Sequence, residues 1–347
     1  MYLKSIARAV PKHALTQVDC LNILQSSGVL SNLKSRSVEL IEKILLGNSG
    51  IDKRHFAVPD LSLLPSYDAE FLNREFLREA PALAESALNQ ALEKAYLQSG
   101  NLDALFVCTC TGYLCPGISS YVAERMGLNR RAYLQDIVGL GCGASIPTLR
   151  SAHNFLREDP DAHVACIAVE ICSAAFYLND DPGVIISLCL FGDGASASIW
   201  SGNNSGPGWK TGNFDTLHVP EDRELLRFEN KSGKLCNKLH RSVPEKASLA
   251  VKKLYDTAFP DSALSNCVIA HGGGRDVIVA LQSQIPGHDF RESKSILKQY
   301  GNMSSPSVLF ALQEALETTD SEKLWLTSFG AGFSAHSLML SWTGSKI

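Results

Sequence analysis

The sequence predicts an α/β protein built of two related halves, on three observations. Apolar runs of buried-strand length alternate with stretches of helical periodicity, the pattern of a mostly parallel sheet covered on both faces. At 347 residues the chain is too long for one small domain and fits two ordinary ones or one large fold in two parts. In each part a buried strand runs into a Gly-rich turn and then a helix, with a reactive side chain at the turn. These are Ile137-Val138-Gly139-Leu140-Gly141-Cys142-Gly143 and Val268-Ile269-Ala270-His271-Gly272-Gly273-Gly274. The pairing reads as an internal structural repeat whose two active ends meet.

Residues 1–10 open the chain as an apolar, strand-like stretch, and helical periodicity follows at 18–24 and 38–46. Residues 67–99 read as two helices broken near Pro81, because an interior proline removes one backbone bond and crowds the preceding turn. Buried strands are expected at 104–110, 132–140 and 163–172, with a helix at 143–158. Pro147 lies in the first turn of that helix, where the missing N–H has no intrahelical partner to lose. Residues 185–190 and 195–200 read as strands on either side of the turn Phe191-Gly192-Asp193-Gly194. Gly and Pro among polar residues at 201–212 mark a boundary, which divides the chain into 1–205, carrying Cys142, and 206–347, carrying His271 and a candidate Asn302. Beyond it come helices at 244–259, 275–284, 293–300 and 305–317, and strands at 266–270, 323–329 and 332–342.

Composition excludes several classes. Hydrophobic residues are 45% and charged residues 20%, ordinary for a globular protein. A net charge of -4 gives no electrostatic case for nucleic acid or an anionic membrane. No apolar run reaches a membrane span and no signal-peptide core precedes residue 11, so a cytoplasmic protein is expected. Most of the ten cysteines sit inside apolar runs as reduced core thiols, and Cys108, Cys110 and Cys115 lack zinc-ligand spacing, so no metal is expected.

A cysteine between a buried strand and a helix start sits at the positive end of the helix dipole, which favours thiolate. Alone, Cys142 is a weak signal, as is a lone histidine, and Asn302 in Tyr300-Gly301-Asn302-Met303-Ser304-Ser305 would ordinarily be an N-cap or turn residue. One chemistry joins the three: a thiolate takes an acyl group, and His271 with the Asn302 amide holds the oxygen on which charge develops as a malonyl-type thioester loses carbon dioxide. Decarboxylation needs no protein base, so no carboxylate is expected at the centre.

Further motifs fall in order along nearly the whole chain: Gly50-Ile51-Asp52-Lys53-Arg54-His55-Phe56, Thr111-Gly112 with Pro116-Gly117, Gly141-Cys142-Gly143-Ala144, Phe191-Gly192-Asp193-Gly194-Ala195, His271 with Gly273-Gly274, and Phe329-Gly330-Ala331-Gly332-Phe333. Together they resemble the thiolase-fold condensing enzymes, in particular the type III polyketide synthases (chalcone and stilbene synthase-like) and the initiating 3-oxoacyl-acyl carrier protein synthases. The resemblance implies a five-layered αβαβα fold, a homodimer and no tightly bound cofactor, with acyl and malonyl thioesters of coenzyme A or acyl carrier protein as substrates. It implies Cys142 as nucleophile, His271 and Asn302 as the decarboxylation pair, and an oxyanion hole from the Cys142 N–H and the loop Gly330, Ala331, Gly332. Cys110, Thr111 and Phe176 would line the acyl cavity, and Cys115 would reach the partner subunit's.

Two departures stand out. Tyr300 to Ser305 favours the polyketide branch, whereas Phe329 to Phe333 and the chain length lean toward the initiating synthases. Where relatives bind coenzyme A phosphates, a gapless reading places Ile41, Ile44 and Asn48, leaving Lys53 and Arg54 as the candidate cofactor contacts, with Lys43 nearby, and suggesting delivery by an acyl carrier protein or an unusual coenzyme A pose. Asn237 stands where the plant enzymes carry an aromatic gatekeeper, so the cavity should be wider or more polar. A simple acyltransferase and a catalytically idle partner of a condensing enzyme are the competing readings. A degradative thiolase is disfavoured because the loop Gly330-Ala331-Gly332 has no second cysteine.

Overall fold

The computed structural model describes residues 1–260 and 267–344. In chain order it contains β1 (Tyr2–Ala9), β2 (Ala14–Thr16), α1 (Gln17–Ser26), α2 (Ser35–Leu46), β3 (Lys53–His55), α3 (Ala69–Ala95), β4 (Ala104–Cys108), α4 (Ile118–Met126), β5 (Tyr133–Ile137), α5 (Ser145–Glu158), β6 (His163–Glu170), α6 (Pro182–Leu190) and β7 (Gly194–Ser201). After the loop 202–208 come β8 (Trp209–His218), β9 (Leu226–Lys231), β10 (Lys234–Leu239), α7 (Val243–Ala258), β11 (Cys267–Ala270), α8 (Arg275–Gln284), α9 (Arg291–Tyr300), α10 (Ser307–Thr318), β12 (Lys323–Gly330) and β13 (Ser334–Trp342). The strand expected from Asn266 is described from Cys267 onward; Asn266 lies outside the described residues.

The strands run in the order β11-β12-β13-β8-β1-β7-β6-β4-β5. A single residue pairing, Tyr2 with Lys210, joins β1 to β8, so the array is two sheets meeting along one edge. Only β4 with β5, β4 with β6, and β11 with β12 pair in parallel. The sheet is therefore mixed, not mostly parallel as expected. The reason is plain at β12 and β13, where three residues connect the strands and a connection that short permits only an antiparallel pair.

Helices divide the two sheets into five layers. On the outside of the first, α3 packs on β1, β6 and β7, with α4 on β4 and β5. Between the sheets, α5 touches β4 and β6 on one side and β12 and β13 on the other, and α10 touches β1, β11 and β12. Outside the second sheet, α7 packs on β8, β12 and β13 and against α8. Each helical layer has its own apolar core: Ala84 and Leu88 on the first face, Leu149, Val308 and Leu309 in the middle, Val251 and Leu281 on the far face.

Several local expectations are corrected. Residues 69–95 form one helix despite Pro81, starting at Asp68, whose Oδ1 accepts the Phe71 N–H at 2.7 Å. Its buried stripe, Leu72, Phe76, Ala80, Pro81, Ala84, Leu88 and Ala91, lies on the sheet, and that burial outweighs a proline cost of about 3 kcal/mol. Residues 185–190 are helical, not a strand: Asp181 caps the Gly183 N–H at 2.9 Å and Pro182 occupies the first turn, so α6 begins with the helix-start chemistry of its flank. β5 is an edge strand, with Tyr133 and Leu134 50% and 37% exposed, because no strand among the described residues covers its outer side. The hairpin β9–β10 and strand β8 were not expected. The hairpin carried a signal in Ser232-Gly233, both at positive φ (51° and 77°) as a tight primed turn requires.

Candidate active site

Cys142 sits in a short 3-10 turn, Gly141–Gly143, between β5 and α5. Gly141 has φ +57°, and a Cβ there would stand 3.0 Å from the Ala331 N, so the turn needs glycine both for its left-handed backbone and for the close approach of the 330–332 loop. Gly330 is still tighter: a Cβ on it would meet Leu140 O and lie 2.5 Å from Gly143 N and 3.1 Å from Cys142 N. The loop Gly330, Ala331, Gly332 is therefore packed directly onto the Cys142 turn. Pro147 is the third residue of α5, where it costs no hydrogen bond.

The second turn follows β11. His271 is 1% exposed, its N–H donates to Thr327 O on β12 at 2.9 Å, and its ring meets the edge of Phe329 at 5.4 Å. Asn302 does not cap α10, whose N-cap is Pro306. Its backbone accepts from Gly192 N at 3.0 Å and donates to Leu190 O at 2.9 Å. Its side chain bridges two turns, Nδ2 donating to Gly273 O at 2.9 Å and Oδ1 accepting from Ser304 N at 2.8 Å. Ser304 Oγ in turn donates to Cys142 Sγ at 3.2 Å. A continuous hydrogen-bonded path thus links Cys142, Ser304, Asn302 and the His271 turn.

Two residues of this centre were not anticipated. Ser304 holds its hydroxyl between Cys142 and Cys110, 3.1 Å from the latter, and has φ +60°, an uncommon conformation for a side-chain-bearing residue. Glu170 is fully buried at the end of β6, which corrects the expectation of a carboxylate-free centre. Oε2 accepts from Thr109 Oγ1 (3.1 Å), Cys110 N (2.9 Å), Thr111 N (3.1 Å) and Thr111 Oγ1 (2.8 Å), and Oε1 accepts from Ser305 Oγ (2.5 Å). Five donors make burial of this carboxylate tolerable, and it anchors the Thr109 to Thr111 segment behind Cys142. The Ser304-Ser305 pair in the sequence was the available signal; nothing local marked Glu170.

Beside the Glu170 carboxylate, Cys142 and His271 both rest uncharged. Burial pushes the Cys142 thiol up to about 12, opposed by the Ser304 hydroxyl and reinforced by Glu170, so desolvation outweighs the helix-dipole effect expected from the sequence. Burial also lowers His271 to about 4, and its Nδ1 is buried without a partner among the described residues.

A small cavity of about 30 Å³ lies beside Cys142. Cys110, Thr111, Phe176 and Asn237 line it together with Ser304, Phe191 and Phe228. Cys115 does not line it and is exposed. Arg54 is not a cofactor contact: it is 1% exposed, with Nε donating to Gln17 Oε1 (2.9 Å) and Nη1 to Leu188 O (2.6 Å) and Phe191 O (2.8 Å). It caps the carboxyl end of α6 and braces the 188–192 segment that holds the Asn302 backbone. Lys53 and Lys43 are exposed, and Ile41 is buried in the core. Among the described residues no cluster of three His, Cys, Asp or Glu side chains could hold a metal ion, and no helix is long and apolar enough to cross a membrane.

Comparison with known proteins agrees with this geometry. A family model described as FAE1/type III polyketide synthase-like protein matches residues 6–211. The chain belongs to this family. A second model, the C-terminal part of 3-oxoacyl-[acyl-carrier-protein] synthase III, matches residues 266–342 of this polyketide synthase-like chain. The 1,3,6,8-tetrahydroxynaphthalene synthase of Streptomyces coelicolor is 27% identical over 98% of this chain and 91% of its own length. The phloroglucinol synthase of Pseudomonas fluorescens is 24% identical over 96% and 97%. The crystal structure of the Streptomyces coelicolor synthase superposes with a TM-score of 0.87 at 25% identity, covering 99% of this chain and 100% of that one. PKS-I from the brown alga Ectocarpus siliculosus superposes with a TM-score of 0.90 at 22% identity, covering 98% and 97%. The layered thiolase-type fold is thereby established, and this polyketide synthase-like chain is an acyl-transferring condensing enzyme.

Arg54 and His271 generate two predictions. Arg54→Leu strands the Leu188 and Phe191 carbonyls and should lower stability by about 2–4 kcal/mol in denaturant unfolding; unchanged stability with a raised KM for coenzyme A thioesters would restore a phosphate-binding role. For His271, the folded value near 4 lies below an unfolded value of about 6.5, so the unfolded state binds the proton preferentially in that window. Its contribution is complete above about pH 6.5 and is lost as pH falls toward 4. Unfolding free energy should drop by roughly 2 kcal/mol more between pH 7 and 5 in the native protein than in His271→Gln; equal slopes would show that His271 is not held neutral.

Proposed function

We propose that this chain loads an acyl group on Cys142 and condenses it with a carbanion generated by decarboxylation of a malonyl-type thioester, carried by coenzyme A or an acyl carrier protein. The hydrogen-bonded path from Cys142 through Ser304 and Asn302 to the His271 turn, beside one cavity, carries this reading. Cys142 sulfur attacks the acyl thioester carbonyl, and its proton leaves with the departing carrier thiol. His271, neutral and buried, is suited to relay that proton because it can accept on one ring nitrogen and donate from the other.

In the second step the malonyl carboxylate departs as carbon dioxide and its electron pair enters the thioester carbonyl. Asn302 spends one amide hydrogen on Gly273 O and has another for that oxygen; the His271 N–H is the second donor. The enolate carbon then attacks the acyl-Cys142 carbonyl, and the Cys142 thiolate leaves. No electrons are lost or gained overall, so no bound cofactor is required. The relatives are named for tetrahydroxynaphthalene and phloroglucinol. We extend that product class to this chain: repeated extension, then closure to a hydroxylated ring. Ten free cysteines fit the reducing cytoplasm.

We also infer a homodimer through the β5 edge. Tyr133 on that strand, Val138 just after it and Tyr113 two residues before Cys115 are 50%, 49% and 72% exposed, unusual for apolar side chains beside an unpaired strand edge. A second copy at this edge would carry Cys115 toward the partner's cavity.

Intact-mass analysis with a panel of acyl thioesters should show acylation of the native protein and none of Cys142→Ala. With malonyl thioester added, carbon dioxide and a chain longer by one two-carbon unit should follow. His271→Ala or Asn302→Ala should retain measurable acylation while decarboxylation falls about 100-fold or more; equal loss of both steps would refute the division of roles. Sedimentation should give a dimer, and Val138→Lys should shift it toward monomer; a monomeric native protein would refute the interface.

A further inference from the structure

Ser328 and His336 face one another across β12 and β13, and both side chains reach the Cys142 turn although no step of the condensation uses either. Ser328 Oγ donates to Gly143 O at 3.1 Å. The His336 ring lies so close to the same residue that a Cβ on Gly143 would stand 3.1 Å from its Cδ2. Both residues are buried, and residues directly opposite in an antiparallel pair present their side chains on one face of the sheet. The pair therefore grips the turn from the β12–β13 side.

The same ring also holds the 330–332 loop. Ser334 Oγ lies 3.1 Å from His336 Nε2 and donates to Ala331 O at 3.3 Å, and Thr216 Oγ1 lies 3.1 Å from Nδ1. A carbonyl oxygen can only accept, and a hydroxyl has one proton to give. With that proton given to Ala331, Ser334 must accept from Nε2, and Nδ1 of a neutral ring must accept from Thr216. One tautomer meets all three contacts, the one with its proton on Nε2. Burial, with Arg150 second, lowers His336 to about 4, so the ring is neutral at pH 7 and acts through geometry instead of charge. His218 supports the loop beside it, Nε2 donating to Gly332 O at 2.9 Å.

We propose that His336, with Ser328 and Ser334, is a positioning residue for acylation of Cys142: it fixes the Cys142 turn and the 330–332 loop against one another. This deepens the condensing reading and rests on it. In acylation, negative charge develops on an oxygen two bonds from the Cys142 sulfur, within reach of the Cys142 N–H, whose direction the turn sets. In decarboxylation, charge develops on the malonyl thioester oxygen, which His271 and Asn302 serve from other elements. The His271 turn is tied to β13 only through the His336 backbone: Thr327 Oγ1 donates to His336 O at 3.1 Å, and Thr327 O accepts the His271 N–H. A side-chain substitution at His336 leaves that tie in place. Loosening the grip on the Cys142 turn therefore slows the first step and spares the second, and a misplacement of about 1 Å is enough to slow a reaction about 100-fold.

The test separates the two steps. Acylation of Cys142 by saturating acetyl-, hexanoyl- and benzoyl-coenzyme A is followed by quenched intact-mass analysis, and first-turnover carbon dioxide release is measured with malonyl-coenzyme A supplied alone. His336→Ala should be acylated about 10–100-fold more slowly than the native protein, with no change in KM, while carbon dioxide release stays within about twofold. His336→Gln, whose amide can still donate to Ser334 Oγ, should recover most of the loss. Ser328→Ala and Ser334→Ala each remove one hydroxyl and should slow acylation about threefold to tenfold; they carry the test if His336→Ala does not fold. Equal slowing of both steps, or a loss that glutamine does not recover, marks a residue that only supports the fold and overturns the proposal, as does unchanged acylation in the folded variants. Absence of acylation of the native protein by any of these thioesters sinks the condensing reading, and this proposal with it.

Discussion

The arrangement of the centre depends on the hydrogen bonds of one residue, Asn302. Its backbone pairs with Leu190 and Gly192, and its side chain joins the His271 turn to Ser304. The groups it connects come from α6, β11 and the approach to α10, which otherwise have no local reason to stay in register. Arg54 reinforces the same junction from behind by binding the α6 carbonyls. A buried cation without a carboxylate partner is costly. Here the negative end of a helix and the face of Phe56, 4.9 Å from the guanidinium carbon, substitute for one.

Desolvation governs the chemistry of the centre more than any single charge. It holds the Cys142 proton on sulfur and keeps the His271 ring neutral. Both effects weaken when a polar thioester enters, because the substrate brings its own dipoles into the site. The same dryness strengthens each hydrogen bond offered to a developing oxyanion. The buried Glu170 carboxylate fits this setting because its donors belong to the protein. It shapes the wall of the cavity without competing for substrate.

Much of the fold was legible in the sequence where local chemistry and long-range packing agree. The two Gly-rich turns with Cys142 and His271 declared themselves, since a tight turn after a buried strand and a following helix require the same residues. The helix over 275–284 was read to the residue. Legibility failed where a distant contact decided the matter. Residues 185–190 form an apolar run that suits a strand or a buried helix equally, and Asp181 with Pro182 settled it. Pro81 should have broken a helix, yet the sheet beneath α3 holds it together. Ser304 reaches Cys142 across 162 positions of sequence and Glu170 reaches Ser305 across 135, so no window along the chain reveals them. Arg54 misled because a basic residue near an expected phosphate site is read by its charge, and only its burial shows otherwise.

The pairing of β1 has a consequence for how the protein is made. Residues 2 to 9 pair with 195 to 201, and Tyr2 also meets Lys210. During synthesis at roughly 5–20 residues per second, the opening strand must wait on the order of 10–40 s for its neighbours to leave the ribosome. Apolar side chains on both of its faces, Ile6 on one and Ala7 and Ala9 on the other, stay uncovered for that interval. β1 is thus seated only after β4, β5 and β6 have been made.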